Sequence, residues 1–222
     1  MHGGPQRGSA LGAEHRTLYT IGHSTRPFAE FVDILRSSAV GRVVDIRRIP
    51  RSRAHPQFDI DVLPETLDGA GLDYIHLAAL GGLRGKSRGV VAGANAGWAR
   101  RSFRNYADYA QTPPFQEALR DLLEMASRQT CAIMCAEAVW WRCHRRIVAD
   151  HALAHGVPVV HLFTRTKRVP ASLTPFAVVD ADAGVSYPAS SPATSSTQRE
   201  LPHERSAREP TRPCFALRSL RR

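Results

Sequence analysis

The sequence predicts an α/β fold, a single domain with a mainly parallel sheet flanked by helices. Short apolar runs alternate with helical segments along most of the chain, which is typical of βαβ units. The run at residues 131–136 is apolar throughout, as expected of a strand buried on both faces. The predicted strands cover residues 17–21, 42–46, 74–77, 131–136 and 157–163.

The helices between these strands are predicted from apolar spacing and from end signals. Pro27 suits a first helical turn, and Phe28, Phe31, Ile34 and Leu35 then recur on one face. Glycines follow two of the segments, where they act as C-terminal stop signals. The predicted helices cover residues 27–38, 61–70, 101–110, 114–128 and 147–155. We expect an extended pair within residues 173–187, with residues 182–184 as its turn.

Length and composition bound the class of protein. The 222 residues are 43% hydrophobic, which is enough for one domain with a real core. No stretch approaches 18 apolar residues, and the N-terminus has no apolar signal segment, so we expect neither a membrane span nor secretion. Four cysteines without CxxC spacing predict reduced thiols and a cytoplasmic location. We predict a flexible leader at residues 1–16, the α/β domain at 17–188, and a disordered basic tail at 189–222.

The chain is strongly basic, with a formal charge of +10. Lys86 and Lys167 are the only lysines among its 30 basic residues. A GC-rich genome produces an arginine bias through codon usage alone, so the distribution of the arginines is more informative than their number. Several cluster within residues 42–53 and 81–107, which fits either a solvated basic surface or a surface that binds polyanions.

Polar and basic side chains directly follow several of the predicted strands. The clusters are His23/Ser24/Arg26, Asp45/Arg47/Arg48, Arg84/Lys86 and the segment from Cys135 to Arg145. Because parallel strands point the same way, we expect these clusters to converge on the carboxyl edge of the sheet, where open α/β sheets bind ligands.

The same residues carry a family resemblance. The motifs are Ile21-Gly22-His23-Ser24-Thr25-Arg26, Asp45-Ile46-Arg47 with Pro50-Arg51-Ser52-Arg53, Pro56-Gln57-Phe58, Leu80-Gly81-Gly82, Phe103 with Tyr106 and Tyr109, and Cys135-Ala136-Glu137 with Cys143-His144-Arg145. In this order they resemble the bacterial family named domain of unknown function 488, over about residues 18–188. Trp140 stands where that pattern has proline. The resemblance implies a cytosolic α/β domain and no established reaction.

Catalytic roles are conceivable for Cys135, Glu137 and His144. Cys135 is either a nucleophile whose pKa is lowered by a helix N-terminus and nearby cations, or a small buried core residue. Glu137 and His144 are either a general acid and base, or Glu137 pairs with Arg47 or Arg145 to hold the turn. A phosphatase-type loop is disfavoured, since Arg142 lies seven residues after Cys135 instead of six, without an intervening glycine.

Anion binding is the other role that this edge suggests. Arginines grip phosphate in bidentate fashion, with serine hydroxyls as neutral donors; the alternative is ion pairing with the nearby acids. The predicted ligand-binding residues are His23, Ser24, Arg26, Asp45, Arg47, Arg51, Arg53, Arg142, Cys143 and Arg145. Phe103, Tyr106 and Tyr109 have the spacing of a helix core, whereas Trp98 lies in a loop and could stack on a base.

Arg145 is expected to have a specific partner. It falls in the first turn of a helix, where a cation is disfavoured, so it requires a carboxylate such as Glu137 or Asp45, or an anionic ligand.

No metal and no cofactor is predicted. Cys135, Cys143, His144 and His23 could bind zinc in principle, but their spacing is not that of a structural zinc motif. The preferred hypothesis is that the protein binds a phosphate-containing small molecule or a nucleic acid. We expect no membrane as a partner. The alternative is an enzyme that acts on a phosphate-containing substrate through the Cys/Glu/His turn.

Overall fold

The computed structural model describes residues 16–87 and 89–189, and it confirms the α/β class. A six-stranded sheet has the order β3-β2-β4-β1-β5-β6. Its strands are β1 Leu18–Gly22, β2 Arg42–Asp45, β3 Asp73–His76, β4 Cys131–Cys135, β5 Val159–Leu162 and β6 Arg168–Pro170. The predicted leader and tail lie almost wholly outside the described residues, and both stay predictions.

Helices cover both faces of the sheet, which makes β4 a strand without a solvent face. They are α1 Phe28–Arg36, α2 Leu63–Asp68, α3 Arg101–Ala110, α4 Pro113–Arg128 and α5 Arg145–Ala154. Ala132 and Met134 face α1 and α2, whereas Cys131 and Ile133 face the core that contains α3, α4 and α5. Every residue of β4 is buried, as its uniform apolar character predicted.

Strands β3, β2, β4, β1 and β5 are all parallel, and only β6 runs antiparallel, along β5. Strand β6 was not predicted, because it is a three-residue edge strand that ends in proline and has no readable alternation. The expected extended pair is present as β7 Val178–Val179 and β8 Val185–Ser186, which are antiparallel.

The long connection between β3 and α3 is more ordered than its composition suggested. A short 3₁₀ helix, Ala78–Leu80, begins it. The hydroxyls of Tyr106 and Tyr109 donate to the carbonyls of Leu80 and Ala79, and Asn95 donates to Asp108 at 2.8 Å. These bonds hold the connection against α3, and its two ends, at Gly82 and Leu83 and at Arg100, lie at the carboxyl edge of the sheet.

The sheet has a topological switch point between β1 and β4. These neighbouring strands are followed by α1 and α5, which pack on opposite faces. The connections therefore leave the two strand ends in opposite directions and open a crevice between them, the usual ligand position in open α/β sheets. Among the described residues no helix is long and apolar enough to cross a membrane.

Candidate site at the carboxyl edge of the sheet

A cavity of about 700 Å³ lies at this switch point. Its walls come from the ends of β1, β2 and β4, the connection that precedes α3, and the turn before α5. The predicted site residues that line it are His23, Ser24, Arg47, Arg51, Cys135, Glu137, Arg142, Cys143 and His144. Convergence of strand-end residues thus places most of the predicted set in one cavity.

Four of the predicted residues do not line this cavity. Asp45 and Arg145 are buried behind its wall, and Arg53 is exposed elsewhere. Arg26 turns away, because its guanidinium donates to the carbonyls of Gly22 and Phe163. Of the third basic cluster, Arg84 stacks over the ring of Tyr109 at 3.8 Å and donates to carbonyls at the start of its own loop.

The end of β1 is joined to the end of β4 by backbone bonds. The amides of His23 and Ser24 donate to the carbonyls of Cys135 and Ala136, both at 2.9 Å. Ser24 has a φ of 48°, a left-handed conformation that is uncommon outside glycine and recurs at functional sites. At Gly22 an added Cβ would lie 1.9 Å from the carbonyl oxygen of Glu137, so no side chain fits where these strand ends meet.

Arg47 lines the cavity, and the buried carboxylate of Asp45 neutralises its charge. Its Nε donates to Asp45 Oδ1 at 2.9 Å and its Nη2 to Asp45 Oδ2 at 2.5 Å. Tyr74 also donates to this carboxylate, at 2.9 Å, and His76 contacts the carbonyl of Arg47 at 2.7 Å. Asp45 is completely buried, so this pair is an internal ion pair.

His23 is held neutral beside Arg47. Burial is the main cause that lowers its pKa to about 4. The Nδ1 atom lies 3.0 Å from the carbonyl of Ser24 and donates to it, so Nε2 accepts from Arg47 Nη1 at 3.3 Å. The ring stacks on Phe58 with a centroid distance of 4.3 Å. At neutral pH His23 therefore adds no charge to the cavity.

The floor of the cavity contains two thiols and an imidazole. His144 Nε2 donates to the carbonyl of Ile46 at 3.0 Å, which leaves Nδ1 to face the sulfurs. That nitrogen lies 3.6 Å from Cys143 Sγ and 3.9 Å from Cys135 Sγ. Gly82 permits this arrangement, because a Cβ there would lie 2.9 Å from Nδ1. His144 Nδ1 is thus the ring atom that faces both sulfurs.

Of the two interpretations of Cys135, the structure agrees with the small buried residue at the end of the core strand, and it does not support a lowered pKa. The neighbouring Cys143 and burial raise the pKa of Cys135 well above the usual thiol value. Burial would also raise the pKa of Cys143, but its contacts with Cys135, His144 and Arg145 outweigh burial and lower that pKa well below the usual value. Because Arg145 donates to Cys143, Cys143 is the one of the two sulfurs that the surrounding charges favour as a thiolate.

The expected carboxylate partner of Arg145 is absent from the described residues, where no acidic oxygen lies within 4.0 Å of its guanidinium. Arg145 is only 1% exposed. Its Nε donates to Cys143 Sγ at 3.4 Å, and its Nη2 donates to the backbone carbonyl of Glu137. The anion that faces Arg145 is therefore the sulfur of Cys143.

Glu137 does not pair with Arg47 or Arg145 through its side chain. The residue is exposed at the cavity wall, and its contact with Arg145 is made by the main chain. The structural pairing expected of this carboxylate was wrong, and its side chain remains free to meet a ligand.

A family model described as "Domain of unknown function DUF488" matches residues 27–152, more than half of the chain. This protein belongs to the DUF488 family. The match runs from α1 nearly to the end of α5 and includes the floor of the cavity, but it begins after His23 and Ser24. No curated protein and no solved structure matches the chain.

The DUF488 domain also lines its cavity with residues that the sequence analysis did not assign. They are Arg48, Ile49, His55, Leu83, Arg100 and Ser102. Arg48 was expected at this edge as part of the cluster Asp45/Arg47/Arg48, but no ligand-binding role was predicted for it. Arg100 and Ser102 come from a loop and a helix start with no spacing signal, and only the anchored connection brings them to the edge.

Trp98, considered as a stacking surface because it lies in a loop, is instead part of the core of the DUF488 domain. It is 6% exposed and stacks on Phe103 at 4.8 Å. Phe103 and Tyr106 are buried, as their helical spacing predicted. Trp140 at the proline position stacks on the buried His161, with a centroid distance of 4.3 Å.

The same floor offers three ligand atoms of a kind that zinc accepts. Cys135 Sγ, Cys143 Sγ and a ring nitrogen of His144 lie within 4.8 Å of one another. Charge balance argues against a divalent cation there. Two thiolates would neutralise it and leave Arg145 buried without an anion, whereas one thiolate and Arg145 already balance.

Proposed function

We propose that the DUF488 cavity binds a phosphate-containing small molecule. The observation that carries the proposal is the excess of unpaired arginine on the cavity wall. Arg47 and Arg51 are neutralised by Asp45 and Asp61, but Arg48, Arg100 and Arg142 have no ion pair among the described residues. Glu137 is the one carboxylate among the lining residues, which leaves a net charge of about +2 facing the cavity.

The chemistry of the wall favours phosphate over other anions. Arginine forks match the oxygens of a phosphate in bidentate fashion, and the hydroxyls of Ser24, Ser52 and Ser102 add neutral donors. Helix α5 begins beside the cavity, and the N-terminal end of a helix favours negative charge.

The shape of the site favours a small molecule over a nucleic acid. A volume of about 700 Å³ falls in the range of small-molecule sites, and its walls come from several loops around one crevice. A nucleic acid would need an extended basic track. Oligonucleotide binding with a steep salt dependence would support a nucleic acid as the ligand instead.

The test is a set of thermal melts and calorimetric titrations with phosphate, pyrophosphate and nucleoside monophosphates at constant ionic strength. We expect at least one of them to raise the melting temperature. A ligand at 100 times its Kd adds about 2.7 kcal/mol to the stability. If none of them binds, the proposal fails.

Two variants and a matched control locate the binding. Arg142→Ala and Arg100→Ala should each weaken the affinity by about 1.5–3 kcal/mol, the usual worth of a charged hydrogen bond. Arg128→Ala is the control, since Arg128 is exposed in the last turn of α4 and pairs with Glu124. Equal effects of all three substitutions would contradict binding in the cavity.

A second candidate function is catalysis on the bound molecule. The observation that favours it is the position of Cys143, His144 and Glu137 on the same cavity, where a nucleophile, a proton carrier and a free carboxylate meet. Turnover of a phosphate ester that is lost in Cys143→Ser, with binding retained, would establish it. If the tested ligands bind but none is turned over, only the binding function is supported.

A further inference from the structure

We propose that Cys143 and Cys135 form an oxidation-sensitive dithiol on the cavity floor, in which Cys143 attacks a hydroperoxide and Cys135 then closes a disulfide. This inference does not depend on phosphate binding. Both cysteines are free and both line the cavity, so a small oxidant that enters it meets them directly.

The first support is the charge around Cys143. Arg145 is buried, carries a permanent positive charge and has its Nε 3.4 Å from Cys143 Sγ. A buried guanidinium without a carboxylate is costly unless another anion faces it. The thiolate of Cys143 supplies that anion, and a thiolate is the reactive form toward peroxides.

The second support is the position of the other sulfur. The two Sγ atoms lie within 4.8 Å of each other, and both contact Nδ1 of His144. Cys135 ends the rigid strand β4, whereas Cys143 follows the short 3₁₀ helix Trp140–Arg142. The segment between them lies at the surface, so it can adjust while the sulfurs close to bonding distance.

The chemistry is balanced without a further reactant. The Cys143 thiolate attacks one oxygen of the hydroperoxide, the O–O bond breaks, and the departing oxygen leaves as an alkoxide or hydroxide that takes a proton from solvent water. Cys143 is oxidised by two electrons to the sulfenic acid. Cys135 then loses its proton to His144 Nδ1 and attacks the sulfenic sulfur, and hydroxide leaves as water with that proton.

Cys131 is a matched control on the same strand. It is fully buried, and burial raises its pKa to about 11. It lies at the opposite end of β4 from Cys135, at the start of the strand, and is not among the lining residues. Cys131 should therefore resist a dose of peroxide that oxidises the pair. Because Cys214 lies outside the described residues, all variants carry Cys214→Ala.

The experiment titrates the full chain with hydrogen peroxide and maps each cysteine by peptide mass spectrometry. We expect a Cys135–Cys143 disulfide, with Cys131 still reduced. In Cys135→Ser a sulfenic acid on Cys143 should be trapped by dimedone. In Cys143→Ser the oxidation of Cys135 should fall by about tenfold or more, since a protonated thiol reacts slowly. Cys131→Ala should behave as the parent protein.

Arg145 provides the mechanistic variant. Arg145→Met should slow the oxidation of Cys143 by about tenfold or more, because the thiolate loses its counter-ion. Arg145→Lys keeps the charge and should lie closer to the parent, and it serves if the methionine variant does not fold. Circular dichroism verifies folding before each titration.

Three results would overturn the proposal: oxidation that begins on Cys135, sulfenic acid on Cys143 that never becomes a disulfide when Cys135 is present, or equal oxidation of Cys131. A fourth is stoichiometric zinc in the purified protein that is lost in Cys143→Ser, since a metal-bound pair would not be a free dithiol.

Discussion

Two buried arginines lie near the carboxyl edge of the sheet, Arg47 just after β2 and Arg145 at the start of α5, and they have different partners. Arg47 is 5% exposed and Arg145 is 1% exposed. Arg47 donates hydrogen bonds from Nε and Nη2 to the carboxylate of Asp45, which neutralises its charge. Within the described part of the chain, Arg145 donates to a sulfur, a hydroxyl and carbonyls, and to no carboxylate. The pair of Arg47 with Asp45 is a fixed ion pair. The sulfur of Cys143 beside Arg145, in contrast, can gain a proton or be oxidised.

The largest expected effect comes from breaking the fixed pair. Asp45→Asn should lower the free energy of unfolding by about 3–5 kcal/mol, because the charge of Arg47 remains buried without an anion. Urea melts measure this. The control is Asp73→Asn, which breaks the more exposed pair with Arg42 and should cost at most about 1 kcal/mol. Equal costs would remove the distinction between a buried pair and a surface pair in this sheet.

A smaller loss is expected at Arg145. Arg145→Met keeps much of the volume, and Cys143 can then take a proton, so no charge stays buried. The loss should be about 1–3 kcal/mol, from the hydrogen bonds to Cys143 and to the Glu137 carbonyl. A loss as large as that of Asp45→Asn would mean that Cys143 cannot take a proton in this variant, and Arg145 would then be part of a fixed ion pair as Arg47 is.

The lowered pKa of Cys143 predicts that stability depends on pH. The pKa of Cys143 is lower in the folded chain than in the unfolded one, so its stabilising contribution is fully present above the unfolded value and disappears as pH falls through the folded value. The stability lost in Cys143→Ala should therefore grow from pH 5 to about pH 8.5, by up to ~1.4 kcal/mol for each unit of the shift. In Arg145→Met this growth should be reduced. Melts across the pH range would refute the assignment if the loss in Cys143→Ala is independent of pH.

The smallest effect is expected at Glu137. Glu137→Gln should change stability by less than about 0.5 kcal/mol, because the side chain is exposed and Arg145 is bound by the main-chain carbonyl. A loss above about 2 kcal/mol in a thermal melt would restore the structural pairing that the sequence suggested.

The sequence predicts the fold and the place of the site because both follow from local patterns. Apolar runs and helical periods predict β1 to β5 and the flanking helices, and parallel strands bring His23, Arg47 and Cys135 to one edge. The three-residue strand β6 has no pattern long enough to read. Which cysteine is the thiolate depends on where Arg145 and His144 turn in three dimensions. The spacing of Cys135 and Cys143 contains no information on that.

The central position of β4 has a consequence for how the site moves. A strand covered on both faces and paired on both sides opens only with the whole domain, so its amides should exchange with solvent most slowly. The segment from Ala136 to Arg142 has no such protection, since most of its side chains are partly or fully exposed. One sulfur of the pair is thus anchored to the slowest-exchanging part of the molecule, and the other follows a segment that opens locally. A ligand or an oxidant at the cavity should therefore change amide exchange in that segment and at the start of α5, while β4 keeps its protection.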